Sequence, residues 1–182
     1  MFSLNWGCDP RPRQRLVKFS KTPRIVFLGS LEGYWVNLPL LSKLSKIYPI
    51  DVYGGPKPDK KWGLDYKGYA PSLDILSKYQ LGLITITKDK LRKSSFSSKH
   101  LEYLSYGLPT LTPDWRKDKI LDDVSISYNE TNFLDKVKEF SKKKKWKEMS
   151  KRSYKKSKDL NWGDNLKPLG IIIDHYSKLR KT

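Results

Sequence analysis

Hydrophobic and polar positions alternate between two periods along the chain. "RIVFLG" (24–29) is a short apolar run stopped by Gly29, the pattern of a buried strand. From Asn37 the spacing changes. Apolar residues fall at 40, 41, 44, 47 and 48, a helical stripe with Asn37 as N-cap and Pro39 tolerated in the first turn. "IDVYGG" (50–55) predicts a second strand ending in a glycine pair, and "LDYKGY" (64–69) a shorter third. Ser72 then caps a helix to about Tyr79, followed by a strand at "LGLITIT" (81–87), a helix at "SKHLEYLSYG" (98–107) and a strand at "LPTLTP" (108–113). After "VSISY" (124–128), helices are expected at 130–142, 144–159 and 164–180, the last two joined by "NWGDN". Strands alternating with helices imply right-handed crossovers, hence an α/β fold with a Rossmann-like, mainly parallel sheet and helices on both faces.

Composition changes this picture in two ways. The hydrophobic fraction is only 37%, but six Trp, eleven Tyr and six Phe supply bulky core material, so the 182 residues can fold around a real core. Cys8 is the single cysteine, which excludes a disulfide framework and a cysteine metal site, and with His100 and His175 the only histidines the composition argues against a structural zinc site. With no signal-length apolar run at "MFSLNWGCDPRPRQR" and no long apolar stretch elsewhere, a soluble or peripheral cytoplasmic protein is expected.

Charge adds a third element. The formal net charge is +18, and residues 138–158 hold eleven Lys or Arg against Glu139 and Glu148, half of the excess. A solvated helix face and a surface leaning on anionic lipid both fit such a run. Nucleic acid ranks behind them, because no nucleic-acid-binding motif accompanies the charge.

Ligands of such sheets sit where strand ends enter helices. "LGSLEGYW" (28–35) offers Gly29 and Gly33 for close backbone approach, although it is neither a Walker loop nor GxGxxG, and a glycine after a strand also serves as a plain turn. "SSFSSKHLEYLSYGLPTLTP" (94–113) is richer. Ser97 or Ser98 is the N-cap, Gly107 the stop, and Pro109 prevents continuation. A capping box from either serine would fall on His100 or Leu101, so Glu102 serves another purpose. The helix N-terminus, Lys99 and the serine hydroxyls assemble an anion site suited to a diphosphate, and Glu102, one turn on, can accept hydrogen bonds from a ribose diol. A plain surface helix with a Lys99–Glu102 pair fits the spacing equally.

"SSKHLEYLSYGLPTLTP" resembles the signature of the C-terminal half of GT-B glycosyltransferases, especially the large retaining family-four group. The resemblance extends over nearly the whole chain. "NWGCDP" is similar to the linker into the second domain, "RIVFLGSL" to the first strand and glycine loop, "IDVYGGP" to the second strand, and "YKGYAP" to the segment that closes on the nucleotide base. "NETNFLDKVKEF" and "KWKEMSKRSYKKSKDLNW" match the closing helices. The implied organisation is a linker-like segment over 1–22, a nucleotide-sugar-binding domain over 23–163 and a C-terminal helix over 164–182.

The resemblance implies a single GT-B half-domain that binds a nucleoside-diphosphate sugar for retaining hexosyl transfer, with no metal and no other cofactor; no Asp-x-Asp sits at a strand end. It places Lys99, Ser97, Ser98, Gly29, Ser30 and Gly33 on the donor diphosphate, and Glu102, the second glutamate of E-x7-E, on the ribose. Gly54, Gly55 and Tyr69 fall in the base region, and Ser94, Ser95 and Phe96 in the donor-sugar region. Ser94 stands where the first glutamate of that motif would be. Ser30, Glu32, Tyr34 and Trp35 occupy the stretch where many members carry a phosphate-neutralising Arg and Lys, leaving Lys99 as the main phosphate cation. No residue is assigned to the chemical step. The acceptor is expected on a separate or missing N-terminal domain or polypeptide, so the chain alone should bind donor and transfer little. The competing expectation is a non-catalytic basic module of the same fold contacting nucleic acid or an acidic partner.

Overall fold

The structure, a computed structural model, describes residues 6–12, 15–93 and 97–179. Six parallel strands form one sheet in the order β3-β2-β1-β4-β5-β6. They are β1 (Ile25–Leu28), β2 (Ile50–Tyr53), β3 (Asp65–Tyr66), β4 (Leu81–Leu83), β5 (Thr110–Pro113) and β6 (Ser125–Tyr128). β1 and β5 are buried at every position, as expected of strands covered on both faces. The helices are α1 (Leu38–Ile47), α2 (Lys90–Lys93), α3 (Ser98–Ser105), α4 (Phe133–Glu139), α5 (Lys143–Asp159), α6 (Trp162–Asn165) and α7 (Lys167–Leu179). This is the α/β Rossmann-like architecture that the alternation of periods predicts.

Strand order reverses between β1 and β4: β1 pairs with β2 along one edge, Ile25 opposite Ile50, and with β4 along the other, Ile25 opposite Leu81. Beyond Phe27 and Leu83 the two strands diverge. The Tyr103 hydroxyl from α3 fills the fork, accepting from the Leu28 N–H at 3.0 Å and donating to the Leu83 carbonyl at 3.3 Å. Its ring reaches that point by lying across β4, where a Cβ on Gly82 would meet it at 2.5 Å. α3 is thereby fixed under the fork, with its N-terminus at the strand ends.

Several elements differ from the sequence expectation. The strand expected at 81–87 stops at Leu83, because residues 84–87 leave the sheet to meet the chain after the glycine loop: Val36 bridges Ile86, and the Thr87 N–H donates to the Trp35 carbonyl. The helix expected from Ser72 to Tyr79 is a 3-10 helix over Leu73–Lys78, capped by the Ser72 hydroxyl. The helix expected over 130–142 is confined to Phe133–Glu139. The "NWGDN" joint contains α6, started by the Asn161 side chain, and α7 begins at Lys167. α2 was not anticipated at all.

The described N-terminal residues lie along α3 and α5. Cys8 exchanges backbone hydrogen bonds with Leu160 and Trp162, Arg11 N–H donates to Ser105, and Val17 N–H to Tyr106. Burial, and then neighbouring Asp9, push the Cys8 thiol up to about 11, so it stays a neutral donor to the Ser157 carbonyl.

Candidate functional site

At the carboxyl ends of β1 and β4 lies a cavity of about 320 Å³. Its floor is Phe27, Leu28, Leu83 and Ile84, and Trp35 and Val36 close one side. Gly29, Ser30, Ser97, Ser98 and Lys99 face it across the fork. The Gly29 turn is held by backbone pairing with the second glycine loop: Gly29 N–H donates to Tyr53, Leu31 N–H to Gly55, and Gly54 N–H to Gly68. A Cβ on Gly54, whose φ is +139°, would collide with the Gly29 carbonyl oxygen, so only glycine lets the two loops touch there.

Ser97 is the N-cap of α3, but its hydroxyl makes no capping hydrogen bond, and the helix closes through His100 N–H to the Ser97 carbonyl at 3.0 Å. Among the described residues no side chain caps the first turn, whose dipoles face the cavity. Lys99 extends from this turn until its Cε is 3.6 Å from the place a Gly29 Cβ would take. It also pairs with Glu102 at 3.1 Å, with 38% of the lysine side chain exposed.

Two further cations line the same space, and the sequence reading missed both. Arg92 comes from α2, and Arg116 from the loop after β5; the Lys117 N–H donates to the Lys93 carbonyl at 3.1 Å and locks the two segments together. Arg116 is 4% exposed and ion-paired with Asp118 at 3.2 Å. Burial pushes its guanidinium below the ordinary range, against the opposing pull of Asp118 and Asp122. Behind it, His100 is fully buried next to the Val124 backbone; burial first, and then the Arg116 charge, bring the imidazole down to about 3. Thr85, 1% exposed, lines the cavity with a buried hydroxyl that has no hydrogen-bond partner among the described residues. Among the described lining residues there are three cations and no carboxylate.

The remaining candidate residues lie around this space. Gly33 packs under the Trp35 ring and does not line the cavity. Tyr69 is 76% exposed, with its hydroxyl against Gly55, so Gly54, Gly55 and Tyr69 form one group beside the Gly29 turn. Glu102 faces a second hollow of about 260 Å³ that also touches Asp9, Leu73 and Ser98. The Lys99–Glu102 pair thus stands on the wall between the two spaces. Ser94, Ser95 and Phe96 lie outside the described residues. Spacing could not have found Arg92 and Arg116, although a run of basic residues just before the serine-rich loop was visible at 88–93.

No family model and no curated protein sequence matches the chain. Solved structures do match in fold. The pneumococcal O-GlcNAc transferase GtfA, crystallised with UDP and GlcNAc, superposes with a TM-score of 0.67 at 15% identity over 93% of this chain and 38% of that one. A glycosyltransferase from Rickettsia africae gives 0.66 at 9% identity, covering 84% of this chain and 47% of that one. The GtfA/B complex gives 0.57 at 16% identity, over 88% and 38% of the two chains. The chain spans less than half the length of each of these. Its fold is that of a GT-B glycosyltransferase half-domain.

Proposed function

We propose that this chain is the donor-binding half of a glycosyltransferase and takes a nucleoside-diphosphate sugar. The observation that carries this reading is the cavity at the fork of β1 and β4, where three cations and a helix N-terminus converge and no described carboxylate intrudes. Open parallel sheets bind ligands at such a reversal of strand order. The diphosphate lies between the Gly29–Ser30 turn and the first turn of α3, with Lys99 as its direct cation. Glu102 takes the ribose hydroxyls from the adjoining hollow, and Gly54, Gly55 and Tyr69 form the base end.

In transfer, negative charge grows on the departing diphosphate, and Lys99 with the α3 N–H groups stabilises it without reorganising. The transferred group is a hexosyl unit, with retention in keeping with the sequence resemblance, and the acceptor is held by a further domain or polypeptide. The lysine-rich face of α5 is the part suited to an anionic membrane carrying such an acceptor. Among the described residues no helix is long and apolar enough to cross a membrane.

Backbone amide spectra during titration with UDP, and in parallel GDP, ADP and dTDP, test the reading. At least one nucleotide is expected to saturate, shifting Gly29–Leu31, Gly54–Gly55 and Ser97–Lys99 together. No saturable shift to millimolar concentration, or shifts confined to 143–158, would overturn it in favour of a basic binding module.

A further inference from the structure

The loop after β1 runs from the β2 side of the sheet to the β4 side and is tied down at both ends. At its start the Leu31 N–H donates to the Gly55 carbonyl, beside the group read as the base end. At its finish the Trp35 carbonyl accepts from the Thr87 N–H, Val36 bridges Ile86, and the Asn37 N–H donates to the Thr85 carbonyl. Trp35 therefore stands on the β4 side of the Gly29 turn, away from Gly54, Gly55 and Tyr69.

Its indole has a built seat. A Cβ on Gly33 would fall 2.6, 2.7 and 2.8 Å from Cζ2, Cη2 and Cε2, nearly equal distances to three consecutive ring atoms, so Gly33 lies against the face of the ring and not its edge. Its φ is +90°, and only glycine leaves room for that flat contact. Gly33 does not line the cavity, whereas Trp35 does, with 42% of the residue exposed. The indole is thus backed by the chain and borders the cavity with what the backing leaves free. Leu83, Ile84 and Ile86 continue the apolar lining.

Single exposed aromatics are ordinary on protein surfaces. This one is held in a fixed orientation at a cavity. The negative face of an aromatic ring attracts C–H groups and shields them from water. One face of a pyranose carries several such C–H groups, with its hydroxyls projecting around the rim; a diphosphate carries none.

We propose that Trp35 is the platform on which the donor's glycosyl ring lies, a neutral hexose stacked through its C–H face. The inference rests on the donor reading above and goes beyond it by placing the sugar on the β4 side and naming the residue that holds it.

Calorimetric titration tests it by pairing each nucleotide with its sugar: UDP with UDP-glucose, GDP with GDP-mannose, ADP with ADP-glucose and dTDP with dTDP-glucose. For the nucleotide that binds, Trp35→Ala should weaken the nucleotide sugar about fivefold or more and the bare nucleotide by less than about twofold. Trp35→Phe, which keeps a smaller flat face, should fall between Trp35→Ala and the parent. Gly33→Ala, which keeps the indole but unseats it, should also weaken the nucleotide sugar selectively. An equal loss for nucleotide and nucleotide sugar would overturn the inference, since it would put the indole on the base or the diphosphate. So would no loss for either, or a parent that binds the nucleotide but not its sugar; the donor reading survives all three. Failure of every nucleotide to bind would remove both.

Discussion

The cavity and the outer face of α5 hold positive charge in opposite ways. Residues 138–158 carry a net +9 of the +18, spread mostly over exposed positions, with Lys151, Lys155 and Lys158 lining an open hollow together with Lys18. Several are already answered: Lys145 pairs with Glu139, Lys156 with Asp123 at 3.3 Å, and Lys158 sits over the Tyr154 ring. Arg92, Lys99 and Arg116 are only three, and Lys99 and Arg116 are themselves paired with Glu102 and Asp118, but all three line one concave space whose described lining holds no carboxylate. Exposed charges are screened over about 8–10 Å in physiological salt, whereas low-dielectric walls focus a field. Concentration of charge along the sequence therefore says less about a small anion's site than convergence in space does.

The largest expected effect comes from breaking the backbone contact that builds the cavity. Gly54→Ala forces a Cβ into the Gly29 carbonyl and a side chain onto a φ of +139°. We expect a loss of about 3 kcal/mol or more in denaturant unfolding. Removing exposed charge from α5 should cost within about 0.5 kcal/mol, the usual range for such surface positions. A Gly54→Ala loss as small as that would mean the two glycine loops are not held in contact.

A smaller effect sharpens the contrast through pH. His100, beside Arg116, stays neutral in the folded chain down to about 3, while in the unfolded chain it titrates near 6.5. Below 6.5 the unfolded chain takes up a proton that the folded one refuses, so stability falls as pH drops from 6.5 towards 3. Between pH 6.5 and 5 the loss is about 2 kcal/mol. His100→Leu should remove that slope, as read from urea unfolding at several pH values. An unchanged slope would mean that Arg116 and burial do not hold His100 neutral.

The two regions were not equally legible in the sequence. A continuous apolar run marks β1 because both faces of that strand are covered, and Asn37, Ser72 and Gly107 mark element ends through local hydrogen bonding or φ. The lysines of α5 are visible because they are consecutive. The cavity was visible only on its α3 side, where Ser97, Ser98 and Lys99 adjoin a predicted cap. Arg116 reaches it through a contact with a segment more than twenty residues earlier, and local pattern carries no trace of that. Tyr103 reads as one more apolar position on a helical stripe, although its hydroxyl closes the fork between β1 and β4.

The most direct test sets the two regions against each other in one affinity measurement. Calorimetric titration of the best-binding nucleoside diphosphate is made with the parent, with Lys99→Ala, and with a variant carrying both Lys151→Ala and Lys155→Ala, at physiological salt. Losing the charge-assisted contact at the diphosphate is worth about 1.5 to 3 kcal/mol, so Lys99→Ala should weaken binding about ten- to a hundredfold. The α5 variant, with two charges removed, should stay within about twofold of the parent. If instead Lys99→Ala binds as the parent does and the α5 variant loses affinity, the anion is held by the α5 lysines and the donor-site account is wrong.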